Sequence, residues 1–450
     1  MSKARWYALA AALLTPSSAL AQEASAPATN IIPIDAGATA WLLMSAALVM
    51  LMTPGLAFFY AGMVKRKNVV ATLFKNYVAL AIVGVLWVVV GYSLAFAPGG
   101  MWIGSWSHYF MLANVDTNGF VLNGTTNNIP HILFVVFQMM FAIITPALII
   151  GSLVERVNFF AWLVIMALWS LLVYAPIAHW VWGPDGWIFA SGGLDFAGGL
   201  VVHISSGVSA LVAALIFGRR ANTASKEAAR PNDVSMVLLG AALLWFGWFG
   251  FNAGSALGAN GLAAHAFATT FVAAACAFLT WMAYDWLVNG KPSAVGSAVG
   301  LVAGLVVITP AAGFVSIPAA MFMGAAGGVV CNFASRMVKK ATRLDDALDV
   351  FGCHGVGGML GAIMTGLFAT YAVNAGVTNQ GYFIDGSLTL LKANIAATAT
   401  VIVYSVVCTF VLIKVVGLFV KLRVSEEEEL AGLDDSQHGE FARYRDQLAH

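Results

Sequence analysis

Two histidines lie inside long apolar runs of the sequence, where an ionisable side chain is unexpected. His203 follows Asp195-Phe-Ala-Gly-Gly-Leu-Val-Val, and His354 belongs to Asp349-Val-Phe-Gly-Cys-His-Gly-Val-Gly-Gly. A hydrogen-bonded pair of imidazoles can offer neutral nitrogens to a small polar solute or carry protons near neutral pH. The spacing alone leaves open the alternative that both are core histidines bonded to backbone carbonyls.

An aspartate precedes each histidine, by eight residues at Asp195 and by five at Asp349. On a helix, these intervals place aspartate and histidine about 80° and 140° apart, so they do not share a face. An aspartate at a helix N-terminus accepts hydrogen bonds from otherwise unpaired N–H groups. We therefore interpret both aspartates as N-caps that give the site structural support.

A second group of candidate residues is aromatic. Phe137 and Phe141 are one helical turn apart, as are Phe251 and Ser255. Because their helices are predicted to run in opposite directions, Phe137 and Ser255 form an outer layer. Phe141 and Phe251 form a second layer beneath it, and Trp182 can close the outer one. Aromatic faces with a hydroxyl suit a small cation, and stacked phenyl rings exclude hydrated ions. Taken singly, each aromatic residue also fits a lipid-facing or core position.

Membrane-spanning helices must position these residues. Of 450 residues, 60% are apolar and 10% are charged, against about 25% charged in soluble domains, which excludes a water-soluble enzyme. Continuous apolar runs of about 20 residues fit helices that cross the bilayer, not the alternating strands of a barrel. The 22 Lys and Arg nearly balance the 21 Asp and Glu, so nucleic-acid binding is not predicted. The fold class is an all-α polytopic membrane protein.

The basic residues predict the orientation of eleven spans. The spans cover roughly 38–62, 69–97, 130–153, 158–180, 197–217, 233–258, 264–288, 294–311, 314–335, 350–371 and 389–420. Lys and Arg are concentrated in every second loop, with Lys392 as the exception. By the positive-inside rule, the N-terminus is periplasmic and the C-terminus cytoplasmic.

The chain is predicted to begin with a cleaved signal peptide. Residues 1–21 combine a basic start, a short apolar stretch and the small-residue site Ala19-Leu-Ala. An uncleaved signal anchor is the alternative. The membrane domain then covers 22–423, and a cytoplasmic regulatory tail covers 424–450.

The histidine motifs recur five spans apart. Because five is odd, the second copy enters from the opposite face, which is typical of inverted repeats with a substrate path at their interface. The predicted halves are about 38–217 and 233–371. The last helix, 389–420, lies outside this 5+5 repeat.

Metal and enzyme chemistry is not predicted. The four cysteines have no close pairing pattern, so neither a disulfide framework nor a metal site is implied. The sequence contains no HExxH, CxxC or GxSxG motif, which disfavours the alternative of an intramembrane hydrolase. We therefore expect no catalytic residues, no metal and no cofactor.

Five separated motifs resemble those of the ammonium transporter (Amt/Mep/Rh) family. They are Phe137-Gln-Met-Met-Phe141-Ala, Ile177-Ala-His179-Trp-Val-Trp182-Gly, Asp195-Phe-Ala-Gly-Gly with His203, Trp248-Phe-Gly-Phe-Asn-Ala-Gly-Ser255, and Asp349-Val-Phe-Gly-Cys-His354-Gly-Val. They follow the family's order and cover almost the whole mature chain. The resemblance implies an ammonium transporter of a bacterial inner membrane, with methylammonium as a candidate analogue.

The resemblance also implies a role for each candidate residue. These roles are ammonium recruitment at Phe137, Trp182 and Ser255, a gate at Phe141 and Phe251, and a pore lined by His203 and His354, with Asp195 essential to the recruitment site. It further implies a homotrimer with one central pore per subunit. Its tail would contact neighbouring subunits and dock a PII-type signalling protein on the cytoplasmic face.

The expected mechanism begins with dehydration of NH4+ at the aromatic and hydroxyl site. A bare ion in an apolar pore costs several kcal/mol, so deprotonation would let NH3 cross. Separate proton movement along the histidines makes transport electrogenic, which we favour, and return of the proton outside makes it electroneutral. A sensor that signals through the tail is the other alternative.

Overall fold

The computed structural model describes residues 31–221, 230–342 and 345–442, so the predicted signal peptide, 1–21, lies outside the described residues. Among these, ten helices are long and apolar enough to cross a membrane, and an eleventh, Ala294–Ile308, is shorter with 15 residues. The helices are α1 Ala36–Met63, α2 Arg66–Phe96, α3 His131–Leu153, α4 Phe159–Ala190, α5 Gly199–Phe217, α6 Val234–Gly254, α7 Gly261–Asn289, α8 Ala294–Ile308, α9 Ile317–Thr342, α10 Phe351–Phe368 and α11 Thr389–Val416. The prediction of an all-α polytopic membrane protein is confirmed.

Polar residues at the helix starts explain where several spans begin. The side chains of Asp35, Asn158, Asp233 and Asn260 each accept a hydrogen bond from the backbone N–H three residues later. Ser293 does the same for α8. These caps satisfy N–H groups that have no partner within the helix, which matters most where lipid replaces water.

Glycines let α1 and α6 pack with their backbones in contact. A Cβ atom at Gly62 would lie 2.7 Å from the carbonyl oxygen of Asp233, and one at Gly240 would collide with the backbone of Phe59. Small residues allow this close approach in a membrane, where packing replaces the hydrophobic drive for association. These two helices are the first of each predicted half.

The helices α5 and α10, which carry the two histidines, cross at another glycine contact. A Cβ atom at Gly207 would collide with the backbone nitrogen of Gly355. Both helices begin with π-helical turns, Gly199–Ile204 in α5 and Phe351–Val356 in α10. The crossing brings His203 and His354, 151 residues apart in sequence, into contact with each other.

The two ends of the bundle differ in structure. We call the end that contains residues 98–130 the outer end and the opposite end, with residues 154–158, the inner end. At the outer end, strands β1 Phe120–Leu122 and β2 Thr125–Asn127 form an antiparallel hairpin. The side-chain amide of Asn123, in its turn, donates a hydrogen bond to the carbonyl of Trp182 (3.0 Å).

Two short helices of the tail, α12 Glu426–Ala431 and α13 Leu433–His438, cover part of the inner end. Ser425 and Glu428 form a capping box that starts α12. The carboxylate of Asp434 accepts a hydrogen bond from the backbone N–H of Ala71 in α2 (2.8 Å). The described part of the tail is therefore folded against the membrane domain and does not extend from it.

Candidate functional site

A cavity of about 170 Å³ opens at the outer end and contains three of the predicted site residues. Its lining consists of Phe141, Trp182 and Ser255 together with Phe96, Leu122, Asn123, Phe134, Gln138, Val181, Phe189, Phe196 and Leu257. The hydroxyl of Ser255 donates to the carbonyl of Phe251 (2.9 Å), so its oxygen can still accept a hydrogen bond from a solute.

The aromatic residues of the two predicted layers differ in their relation to the outer cavity. Phe137 is fully buried and does not line the outer cavity, whereas Phe141 does. The ring of Phe137 packs edge-on against that of Phe141, with centroids 5.0 Å apart. It fills the space above Gly254, where an added Cβ atom would lie 2.9 Å from the Phe137 ring. The absence of a side chain at Gly254 thus leaves room for the Phe137 ring beside α6.

Two phenyl rings separate the outer cavity from the histidines. Phe141 and Phe251 stack with centroids 4.1 Å apart and an interplanar angle of 26°. The indole of Trp182 stands perpendicular to Phe141 at 6.1 Å. Rings in van der Waals contact leave no space for a hydrated ion between them. In this structure the path is closed at the phenylalanine pair.

The structure pairs the two histidines with each other and not with backbone carbonyls. The Nδ1 atoms of His203 and His354 are 3.2 Å apart, and both side chains are buried. Only one proton fits between two nitrogens in hydrogen-bond contact, so one imidazole donates and its partner accepts. The donor then presents an Nε2 lone pair and the acceptor an Nε2–H.

Aromatic packing holds His203 in place. Its ring stacks on the indole of Trp248 at 5.3 Å and lies 6.1 Å from that of Phe251. The Trp248 indole N–H donates to the hydroxyl of Thr309 (2.9 Å), which fixes the indole plane. In the described part of the chain, Nε2 of His203 has no hydrogen-bond partner. This nitrogen is therefore available to a solute.

A narrow cavity continues from the histidine pair towards the inner end. It has room for about 20 Å³, and its lining includes Tyr60, Phe251, Leu348 and both histidines. That volume accommodates about one molecule the size of water or ammonia. Phe141 lines the outer cavity and Phe251 lines this one, so the two cavities adjoin at the stacked phenylalanine pair.

Both histidines lie in π-helical turns, which the sequence reasoning missed because it assumed α-helical spacing. The backbone N–H of His203 donates to the carbonyl of Gly198, five residues earlier (3.0 Å). Such turns contain an extra residue and are frequent at functional sites. The signal available in the sequence was the pair Gly198-Gly199, since Gly198 adopts φ of 115°.

The carboxylate of Asp195 caps the start of α5. Its two oxygens accept hydrogen bonds from the backbone N–H groups of Gly198 (2.9 Å), Gly199 (2.7 Å), Leu200 (2.7 Å) and Val201 (3.3 Å). Its carbonyl accepts the indole N–H of Trp182 (2.9 Å). Asp195 thus joins the start of α5 to the outer cavity without lining that cavity.

The N-cap prediction for Asp349 is wrong. The carboxylate that accepts from the first N–H groups of α10 is that of Asp346, which contacts Val350 (3.1 Å) and Phe351 (2.9 Å). Asp349 adopts φ of 58° and accepts from Cys353 through its backbone carbonyl. Asp346 stands eight residues before His354, the same interval as from Asp195 to His203.

Gln138 is a further polar residue of the outer cavity that the sequence reasoning passed over. It follows Phe137 and lines the cavity, and its side chain is 8% exposed. Among the described residues its Oε1 atom has no hydrogen-bond partner. A buried acceptor without a partner is costly unless a solute or water completes it.

The chain is similar to known transporters over most of its length. A model described as the Ammonium Transporter Family matches residues 40–443. An ammonium transporter of Bacillus subtilis is 48% identical over 412 residues, which cover 92% of this chain and 99% of that protein. One of Aquifex aeolicus is 47% identical over 411 residues, covering 91% and 94%.

Solved structures of similar fold include Saccharomyces cerevisiae Mep2, with a TM-score of 0.80, 37% identity and 88% of each chain covered. A structure described as a sensor Amt protein has a TM-score of 0.81 and 26% identity, covering 89% of this chain and 98% of that one.

Proposed function

Because the chain belongs to the ammonium transporter family and is a transmembrane ammonium transporter, we propose how its residues move the substrate. NH4+ binds in the outer cavity, gives up a proton near the phenylalanine pair and crosses as NH3 past the histidines. In the version we favour, that proton moves separately along His203 and His354. The observation that supports this most directly is that the outer cavity and the cavity lined by His203 and His354 adjoin at the stacked rings of Phe141 and Phe251.

Recruitment depends on replacing the hydration of the cation. In the proposal, the faces of Trp182 and Phe141 attract NH4+ by cation–π interaction, and Ser255 accepts one of its hydrogen bonds. Phe137 acts from behind by holding the ring of Phe141. The Oε1 atom of Gln138 supplies a second acceptor on the same cavity.

Deprotonation follows from the narrowness of the path. A bare cation between apolar rings costs several kcal/mol more than neutral NH3. Once past the rings, NH3 can donate to the lone pair on one histidine Nε2 and accept from the N–H of the other. The shared proton between the Nδ1 atoms keeps this pattern of one donor and one acceptor in place.

Electrogenic transport is the version of the mechanism that we favour, with the proton moving separately along the histidines. The test is the current of the purified protein in liposomes after an ammonium pulse, with potassium and empty vesicles as controls. We expect a current selective for ammonium in the wild type and a large loss in the variant with His203→Ala and His354→Ala. Rapid internal alkalinisation without current would instead indicate passage of neutral NH3.

Sensing through the tail is the second candidate function. Its support is the similar fold of the solved sensor Amt protein and the docking of the described tail on the inner end. Absence of both current and alkalinisation in the liposome test would favour it. Ammonium flux without any partner protein would contradict it as the main role.

We also propose a bacterial inner-membrane location, with the outer end periplasmic, the tail cytoplasmic and residues 1–21 removed as a signal peptide. The distribution of Lys and Arg between alternate loops supports this orientation. Assembly as a homotrimer and docking of a PII-type protein rest on the family resemblance. The transporters among its relatives favour a role other than an enzyme.

A further inference from the structure

A buried asparagine of the last helix holds the chain just before Asp195. Asn394 of α11 is fully buried, and its side-chain oxygen accepts the backbone N–H of Leu194 (2.9 Å). Its amide donates to the carbonyl of Leu194 (3.2 Å) and to that of Ala362 in α10 (2.8 Å). If the amide were flipped, its oxygen would face the carbonyl oxygens of Leu194 and Ala362. These partners therefore define the orientation of the Asn394 amide.

These bonds fix the residue from which the outer site is built. Leu194 is followed by Asp195, whose carbonyl accepts the Trp182 indole N–H and whose carboxylate caps α5. A shift of Leu194 therefore moves the partner of Trp182 and the start of the helix that carries His203. Gly192, with φ of 79°, and Gly193 precede Leu194, so the preceding chain adds little stiffness of its own.

The inner end contains a similar arrangement at the second histidine helix. Arg156, also fully buried, donates from Nη2 to the carbonyl of Asp345 (2.8 Å), the residue just before the capping Asp346. In both places a buried side chain from a neighbouring segment holds the backbone immediately before a capping aspartate. At the outer end, the residue that holds the backbone is Asn394 of α11, a helix that lies outside the predicted repeat.

We propose that Asn394 is a positioning residue for ammonium binding, through which α11 sets the geometry of Trp182 at the outer cavity. The inference rests on the proposed recruitment role of that cavity. Asn394 does not line the cavity, so it acts only through Leu194 and Asp195. Its loss should weaken ammonium binding more than it lowers the maximal rate.

Two substitutions and a control on the same helix test this role. Asn394→Leu removes all three hydrogen bonds, while Asn394→Asp keeps the shape and the acceptor for Leu194 but loses both donated bonds. Thr398→Val is the matched control, because Thr398 is buried one turn further along α11 and its hydroxyl has no partner among the described residues. Trp182→Leu tests the recruitment site itself.

The measurement is ammonium-driven current against ammonium concentration for each purified variant in liposomes. We expect Asn394→Leu to raise the concentration for half-maximal current about tenfold, as loss of buried hydrogen bonds would. Asn394→Asp should also raise the concentration for half-maximal current. This variant provides the test if Asn394→Leu does not accumulate. Thr398→Val should stay within about twofold of the wild type.

Combining Asn394→Asp with Trp182→Leu separates positioning from general packing. If both act on one geometry, the double variant should resemble Trp182→Leu alone, because coupled sites are not additive. Multiplied effects, or a lower maximal rate at unchanged half-saturation, would overturn the inference. If the ammonium concentration for half-maximal current is unchanged in Asn394→Asp alone but raised in Trp182→Leu, the inference about Asn394 is overturned. The proposed recruitment site would still stand. No effect of Trp182→Leu would overturn the recruitment site and this inference with it.

Discussion

At the scale of residues, the buried histidines His179, His203 and His354 have two different environments. His179 places Nδ1 2.9 Å from the carbonyl of Ala95 and Nε2 2.7 Å from that of Gly100. Each of its ring nitrogens faces a backbone carbonyl oxygen, so we interpret His179 as a structural residue. His203 and His354 use one nitrogen each for their partner, which leaves Nε2 of His203 for a solute.

Ser255 gives the sharpest test of the outer cavity at this scale. Ser255→Ala removes an acceptor for NH4+, and we expect the half-saturation concentration for current to rise about fivefold to tenfold, equivalent to about 1 kcal/mol. Ser255→Thr keeps the hydroxyl and should remain close to the wild type. Equal affinity in the alanine variant would show that the cation binds elsewhere.

We expect Asp195 to stabilise the folded protein more than a solvent-exposed aspartate does. Asp195→Asn keeps one side-chain oxygen to accept the four N–H groups that the carboxylate now serves, and charged hydrogen bonds contribute about 1.5–3 kcal/mol. We expect a clearly lower midpoint of thermal unfolding in detergent, with transport reduced. Asp185→Asn, on an exposed position of the outer end, is the control. Matching midpoints for the two variants would rule out the capping role.

At the scale of elements, ion pairs at the inner end connect the loop after α5 with the loop before α10 and with the loop between α3 and α4. Arg220 donates to Asp345 through its backbone N–H and through Nε and Nη2, at 2.8–2.9 Å, and through Nη1 to Glu155 (2.8 Å). Burial alone raises the pKa of Asp345, but the bonds and charges of Arg220, with the charge of Arg156, outweigh it and hold that pKa at about 2.

The lowered pKa of Asp345 predicts a pH dependence of stability. Its unfolded value is about 3.9, so its contribution is complete above that pH and disappears as the pH falls through about 2. This pKa difference corresponds to about 3 kcal/mol. We expect the midpoint of thermal unfolding to fall between pH 5 and 2 more steeply in the wild type than in Asp345→Asn. Parallel curves would contradict the depressed pKa.

The docked tail gives a second prediction for the elements. Asp434 is buried where α13 meets α2, while the neighbouring Asp435 is exposed. Asp434→Ala removes the acceptor for Ala71 and should release α13, so that protease cleaves the tail faster in purified protein. Asp435→Ala should be cleaved at the wild-type rate. Equal protection in both variants would mean that this contact does not hold the tail.

At the scale of the whole molecule, large apolar side chains face outward on several helices. Exposed examples are Leu43 and Met50 on α1, Leu239 and Phe246 on α6, and Phe267, Phe271 and Leu279 on α7. Lipid covers such faces, and subunit contact can cover them too. For the homotrimer proposed from the family resemblance, we expect native mass spectrometry in detergent to give three times the mass of one chain. A monomer mass under conditions that preserve transport would contradict the trimer.

The sequence by itself determined the membrane class, gave a span count close to that of the structure, and singled out the two histidines. These follow from local signals, because apolar runs of about 20 residues cross a bilayer in any arrangement and an ionisable residue in such a run is conspicuous. Helical spacing and the predicted topology also singled out Phe141, Phe251 and Trp182, and the family motifs gave these residues their roles. Where a span begins was also readable from single capping residues such as Asp233.

Only the tertiary structure decided which residues act together. The Nδ1 contact joins His203 and His354, which are 151 positions apart, and the hydrogen bonds of Asn394 reach Leu194, 200 positions away. Sequence spacing carries no information over such separations. The choice of Asp346 over Asp349 as the cap depends on a π-helical turn and a positive φ that change the spacing locally. Such features arise from packing between helices, since the backbone strain they contain is offset only by contacts from elsewhere in the bundle.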